Sequence, residues 1–251
     1  MRLHTTLAAI AALILSAGSY AAAVTTQIDV TPSMVPDETA PRVNFGDAPT
    51  GYGPNSWQGP ATGKTNWHAR YQADGDALSA LFPDDAASMT INDLSEISYY
   101  TKRPSGTQSG RDWWVQIYTR PQSGNSEWYQ ERFINNYNDH TDTGNWVNYS
   151  TTSGMTFNHN GSKVGTNDAN GEMTLSGLQT NYGTELIEMI SVQTNTGWDG
   201  YDGYMDGLQI SLINGNVGQV NFEPVPEPLT MLGVFSGVVG IGAYIRKRRT
   251  A

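Results

Sequence analysis

The stretch DWWVQIYT at 112–119 decides the fold. In it Trp113, Val115 and Ile117 alternate with Trp114, Gln116 and Tyr118. A period of two marks a strand packed on one face, because successive side chains of an extended chain point to opposite sides. The adjacent indoles of Trp113 and Trp114 then belong to opposite faces, which gives one of them the better access to solvent. Working outward, further extended segments recur between Gly, Asn and Asp clusters. They are VNF at 43–45, HARYQA at 68–73, MTI at 89–91, SEISYYTK at 95–102, LIEMISVQT at 186–194, YMDGLQISL at 204–212 and QVNF at 219–222. Asn-Gly pairs at 160–161, 170–171 and 214–215 suit tight hairpin turns. No long helical stripe interrupts them. Many short strands with frequent turns predict an all-β, antiparallel β-sandwich over 42–223.

The two ends read differently from the middle. Arg2 precedes an apolar run from Leu7 to Leu15, and Ala21 and Ala23 hold the −3 and −1 positions of a signal-peptidase site, so 1–23 reads as a signal peptide cleaved after Ala23. Residues 24–41 are polar, carry Pro32, Pro36 and Pro41 and show no period, which predicts a linker or extended arm. At the far end, 229–245 are seventeen residues without a charge, just long enough as a helix to cross a bilayer's hydrocarbon core. Arg246, Lys247, Arg248 and Arg249 follow, a basic cluster that holds its end in the cytoplasm and turns the body outward. Pro226, Glu227 and Pro228 stand just before the span, where proline geometry predicts an exposed, non-helical stalk open to a protease.

Pro-Glu-Pro, an apolar span and a terminal basic cluster, in that order over 224–251, resemble the PEP-CTERM sorting signal of exported bacterial proteins. The resemblance implies processing by an exosortase, a membrane-embedded cysteine peptidase, in Gram-negative species that make exopolysaccharide. It gives an inner-membrane anchor with a periplasmic body, then a cell-surface or extracellular address after processing. A second resemblance covers most of 42–223. INDLSEISYYTKRPSG at 91–106, the aromatic strand DWWVQIYTR at 112–120 and TGWDGYDGYMDGLQISL at 196–212 are similar to concanavalin-like jelly-roll domains. That fold serves lectins, glycosidases, carbohydrate-binding modules and inert surface domains alike, so it does not choose among them.

Composition narrows the chemistry. Between Val24 and Pro228 nine Lys and Arg face twenty-four Asp and Glu, a net charge of −15, which argues against a nucleic-acid partner. The chain has no cysteine, so thiol catalysis, cysteine-ligated zinc and disulfides are excluded and an ordinary hydrophobic core must hold the domain. GPATGKT at 59–65 has three residues between its glycines, one short of a phosphate-binding loop, and reads as a polar loop. No Gly-x-Ser-x-Gly or His-Glu-x-x-His occurs, and His68, His140 and His159 read as surface or turn histidines.

Three constellations remain. Glu127 and Glu131 flank Trp128 and Tyr129, an acid and aromatic mix that a glycosidase or lyase would use, although solvated acids are the plainer reading. Asp199, Asp202 and Asp206 lie among Gly197, Gly200, Gly203 and Gly207, where flexible backbone could gather oxygens around a structural Ca²⁺ without matching EF-hand spacing; turn-forming Asp and Gly are the alternative. The jelly-roll resemblance maps such a calcium to Asp206. Finally, nine aromatic residues fall within 113–149, and rings exposed on a rigid sheet can stack on sugars. Trp113, Trp114, Trp128 and Trp146 are the candidates for such a surface. The expectation is a non-catalytic surface protein that binds polysaccharide, with a secreted hydrolase or lyase and a purely structural protein as alternatives.

Overall fold

The computed structural model of the chain describes residues 22–35, 38–72, 76–104, 111–124, 126–140, 144–163 and 171–223. Twelve strands run in order: β1 (Thr25–Asp29), β2 (Arg42–Asn44), β3 (Ser56–Gln58), β4 (Asn66–Arg70), β5 (Leu94–Lys102), β6 (Trp114–Thr119), β7 (Glu131–Asn135), β8 (Trp146–Ser150), β9 (Phe157–Ser162), β10 (Ile187–Gln193), β11 (Tyr204–Leu212) and β12 (Val217–Asn221). Two short helices, α1 (Ala77–Leu81) and α2 (Leu175–Tyr182), complete the fold. Both begin on polar caps: Asp76 accepts from the Ser79 amide at 2.9 Å, and Thr174 from the Gly177 amide at 3.2 Å. The chain is all-β, as expected, with two mostly antiparallel sheets.

The first sheet has seven strands and centres on β11. One edge of β11 pairs with β5, which pairs in turn with β8; the other edge is shared by β12 and β3, followed by β1 and β2. The second sheet has five strands in the order β4-β10-β6-β7-β9, all antiparallel. Between them lies one apolar core. Ile97, Tyr99, Met205, Leu208 and Ile210 come from the first sheet, and Trp67, Ala69, Val115, Ile117, Phe133, Phe157, Ile190 and Val192 from the second. The Asn-Gly pair at 214–215 makes the tight β11–β12 turn, with Gly215 at φ 92°, where a side chain would be strained.

Some expectations need correcting. Residues 24–41 are not simply a linker, because β1 lies parallel to β12 from Thr25↔Val217 to Asp29↔Asn221. It is an edge strand, half solvated, so its sequence needed no apolar period. MTI at 89–91 is not a strand; Thr90 makes one bridge to Leu186 and Ile91 starts a 3₁₀ turn. The Asn-Gly pair at 160–161 lies within β9, beside a register shift opposite Arg132 and Phe133, and makes no hairpin turn. Among the described residues no helix is long and apolar enough to cross a membrane. The expected span at 229–245, the Pro226-Glu227-Pro228 stalk and the Arg246–Arg249 cluster lie outside the described residues. Ala23 is exposed and immediately precedes Val24, whose amide donates to Asn216 at 3.0 Å.

The parallel pairing of β1 and β12 sets the two ends of this edge. Val24 and the β11–β12 turn share one end, whereas Asp29 and Glu223 share the other. Ile213 donates to Asp93 O and Ile91 to Glu185 O, so the first end also holds the start of β10 and the end of β6.

Candidate functional site

The outer face of the five-stranded sheet follows from its register. Strand alternation that sends Val115 and Ile117 inward sends Trp114, Gln116 and Tyr118 outward. Cross-strand pairs then stack the outward residues in three rows. The middle row runs His68–Ser191–Gln116–Ile134–Asn158. One flanking row is Arg70–Met189–Tyr118–Arg132–Gly161, and the other starts Asn66–Gln193–Trp114. At strand spacings of about 4.8 Å, a row across five strands spans about 19 Å.

The flanking rows are roofed by aromatics. On the Val24 side Tyr118 meets Trp128 at 5.0 Å and Tyr129 at 5.3 Å between ring centroids. The Arg70 guanidinium lies 5.4 Å from the Trp128 ring, and the Lys163 ammonium 5.5 Å from the Tyr129 ring. On the Glu223 side Trp114 stacks on Tyr137 at 4.8 Å and meets Trp198 edge-on at 5.4 Å. Tyr118, Tyr129 and Met189 form an apolar cluster separate from the sandwich core. Burial raises the Tyr118 phenol, and the nearby Arg132 opposes that rise. The phenol stays protonated at neutral pH and hydrogen-bonds Gln116.

Between and beneath the two roofs some buried polar groups lack partners. Ser191 is fully buried, and among the described residues its Oγ has no hydrogen-bond partner; nor do the buried atoms Trp114 Nε1 and Asn66 Oδ1. Each such group costs about 1–3 kcal/mol relative to a satisfied one. A row that stays polar at that cost is suited to a ligand that brings its own donors and acceptors.

The four candidate tryptophans divide on this frame. Trp128 is 44 % exposed and caps the Val24-side cluster. Trp114 belongs to the outer face but is buried against Tyr137 and Trp198. Trp113 is a core residue with no exposed surface, and its indole donates to Gly203 O at 3.0 Å, so it is no stacking platform. Trp146 lies on the other sheet, half-buried, with its indole held by Asp47 at 2.9 Å. The outward turn at Trp114 is real, but Tyr137 and Trp198 fold over it.

The acids separate too. Glu127 stands exposed in the β6–β7 loop, 3.5 Å from Lys163. Glu131 is buried at the start of β7, where its carboxylate takes the His159 imidazole at 2.7 Å and the Ser162 hydroxyl at 2.9 Å. They share no face. The carboxyl that the structure does bring near Glu131 is Glu185, pushed up chiefly by burial and further by Glu131, with the Thr119 hydroxyl opposing. Asp199 accepts from the Gly63 amide, and Asp202 from Arg42 and Gln58. Asp206 is buried and accepts through Oδ1 from the Gly207 and Phe222 amides. Among the described residues no group of three or more His, Cys, Asp or Glu could hold a metal ion.

His140 and His159, read from the sequence as surface or turn residues, are buried in carboxylate pairs. Each partner lies 28 residues away, so no local motif announces it. Ser191 and His68 carried no signal either, and Gln116 was visible only as a member of the alternating triplet Trp114, Gln116 and Tyr118. Compared with protein-family models, with curated proteins and with solved structures, the chain matches none.

Proposed function

We propose that this chain is a non-catalytic, exported bacterial surface protein, sorted by an exosortase through its 224–251 signal, whose concanavalin-like sandwich holds polysaccharide on the outer face of the five-stranded sheet. The observation that carries the binding reading is the middle row. Ser191 and Gln116 sit buried and polar between two aromatic clusters, an arrangement suited to hydroxyls in the groove and sugar faces on the rings. Topology supports the orientation. A helix following Glu223 would anchor the sandwich by one end, and Trp128 with its Arg70 and Lys163 neighbours would face away from the membrane.

Two measurements test this reading. The full-length protein, expressed in its own host, is expected to lose its C-terminal Ala251 by mass spectrometry, and to retain it when Arg246–Arg249 are neutralised. Affinity electrophoresis in gels containing the host exopolysaccharide is expected to retard the wild-type protein. Free mobility in every such gel leaves the chain a structural surface protein.

A further inference from the structure

A second constellation lies inside the sandwich, away from the outer face. Asp112 is fully buried where the chain enters β6. Its Oδ1 accepts from the Trp113 amide and the Tyr201 hydroxyl, both at 2.8 Å. Its Oδ2 accepts from the Thr101 hydroxyl and meets His140 Nδ1, again both at 2.8 Å. A carboxylate can only accept, so Nδ1 of His140 is the donor and carries the hydrogen. In the neutral ring this fixes the tautomer and leaves Nε2 with its lone pair. The ring is further clamped by Tyr149, stacked at 3.5 Å between centroids and 15° between planes, and the Arg103 guanidinium holds the His140 carbonyl at 2.6 Å.

That lone pair meets no partner among the described residues. Nε2 is buried and without a partner, on the far side of the ring from Asp112, and His140 lines a cavity of about 270 Å³. The cavity opens between β8 and the 153–156 turn, with Asn148 and Ser153 exposed at its mouth and His140 deep inside. The other lining groups include Asn136, Ser150, Met155 and Thr156, so among the described residues the wall is mostly amides and hydroxyls, with one apolar side chain and no acidic, Lys or Arg side chain. Glu96 accepts from Ser150, and Glu172, itself exposed, accepts from Asn136 and Thr156. The size is near the lower limit of small-molecule sites, about 300 Å³.

We propose that this cavity is a second binding site, for one small neutral polyhydroxy unit of monosaccharide size, bound by a ligand hydroxyl that donates to His140 Nε2. Asp112 is a positioning residue, which holds the imidazole as an acceptor. The unit is either a free sugar or the end residue of a glycan; both present the same hydroxyls. The site is independent of the outer face and stands or falls separately from it.

The test is a titration of the full-length protein followed by long-range ¹⁵N–¹H spectra of its histidine rings. Before addition, His140 Nδ1 is expected to carry the hydrogen that it donates to Asp112. Glucose, galactose and mannose form one arm, and oligosaccharides from partial hydrolysis of the host exopolysaccharide form the other. A saturable shift of His140 Nε2 with Nδ1 still protonated is the expected result, and the arm that saturates at lower concentration names the source. Asn148→Ala, at the exposed mouth, is expected to weaken it about fivefold, the loss of one hydrogen bond of about 1 kcal/mol. Trp128→Ala is expected to leave it unchanged. An Nε2 signal unmoved by both arms, or a ring already protonated on both nitrogens, overturns the proposal.

Discussion

The two faces of the five-stranded sheet are built from the same strands and obey opposite rules. Inward, Trp67, Ala69, Val115, Ile117, Phe133, Phe157, Ile190 and Val192 form a wall with no polar side chain among them. Outward, the very next residues are His68, Gln116, Ser191 and Asn158, in register across four strands. Burial alone does not separate the faces, since Gln116 and Ser191 are as hidden as most core residues. What separates them is satisfaction. The buried polar groups of the inner face, Asn135 and Glu131, are bonded to Tyr99, His159 and Ser162, whereas Ser191 on the outer face has a hydroxyl with no partner among the described residues, and a polar group kept buried without a partner argues for a role beyond packing.

The largest effect expected is on the inner face. Phe133 is fully buried, with Tyr182 at 4.7 Å and His159 at 5.4 Å between ring centroids. Phe133→Ala removes a ring from a close-packed interior and leaves a cavity, which costs about 3–5 kcal/mol. Urea denaturation should show the midpoint falling accordingly; a change under 1 kcal/mol would mean that the two sheets do not close on this residue.

The contrast extends to the seven-stranded sheet, where Asp206 Oδ2 is buried and has no partner among the described residues. Burial raises its carboxyl to about 7, against the two amide hydrogen bonds that Oδ1 accepts. The folded state therefore holds a proton that the unfolded chain releases near 3.8. This contribution to stability is full below about pH 4, declines as pH rises through about 7, and is absent above. A difference of roughly three pKa units corresponds to up to about 4 kcal/mol. Asp206→Asn keeps an acceptor for both amides and removes the charge. It should be more stable than wild type at pH 8 by about 2–4 kcal/mol and match it near pH 4. Equal stability of the two proteins at pH 8 would show that Asp206 ionises without penalty.

These distinctions also mark how far the sequence could be read. The strands β5, β6, β10, β11 and β12 were legible because apolar residues recur in them with a period of two or in continuous runs. β1, β8 and β9 were not. Thr25–Asp29 and Phe157–Ser162 are edge strands with polar composition, and their geometry comes from partners far along the chain. The site was legible only in part. Gln116 and the split of Trp113 from Trp114 follow from alternation within β6, but the row that Gln116 joins depends on the register of β4 and β10. No local pattern encodes that. The same holds for Asp112 with His140 and Glu131 with His159, which tertiary pairing alone brings together.

Ser191→Ala tests the cost assigned to the middle row. The hydroxyl is buried and unpartnered, so its removal deletes no hydrogen bond within the protein and relieves a desolvated group. Stability should stay level or rise by about 1 kcal/mol, while retention on exopolysaccharide weakens about fivefold. A clear loss of stability would show that the hydroxyl already has a partner, and the polar row would lose its meaning as a ligand surface.

The smallest effect on folding, and the sharpest on binding, is expected at Trp128. With 44 % of its surface exposed, it contributes a ring to the Tyr118 and Tyr129 cluster without entering the core. Trp128→Ala should move stability by no more than about 0.5 kcal/mol, as exposed positions do. If the ring stacks on a sugar, the same change removes a contact of about 1 kcal/mol or more and should reduce retention on exopolysaccharide at least fivefold. Trp146→Ala is the control, because its indole is engaged by Asp47 on the other sheet and should leave retention unchanged. Were both variants retained like wild type, the exposed ring would have no part in binding, and the Arg70 and Lys163 contacts would be no more than a cover for Trp128 and Tyr129.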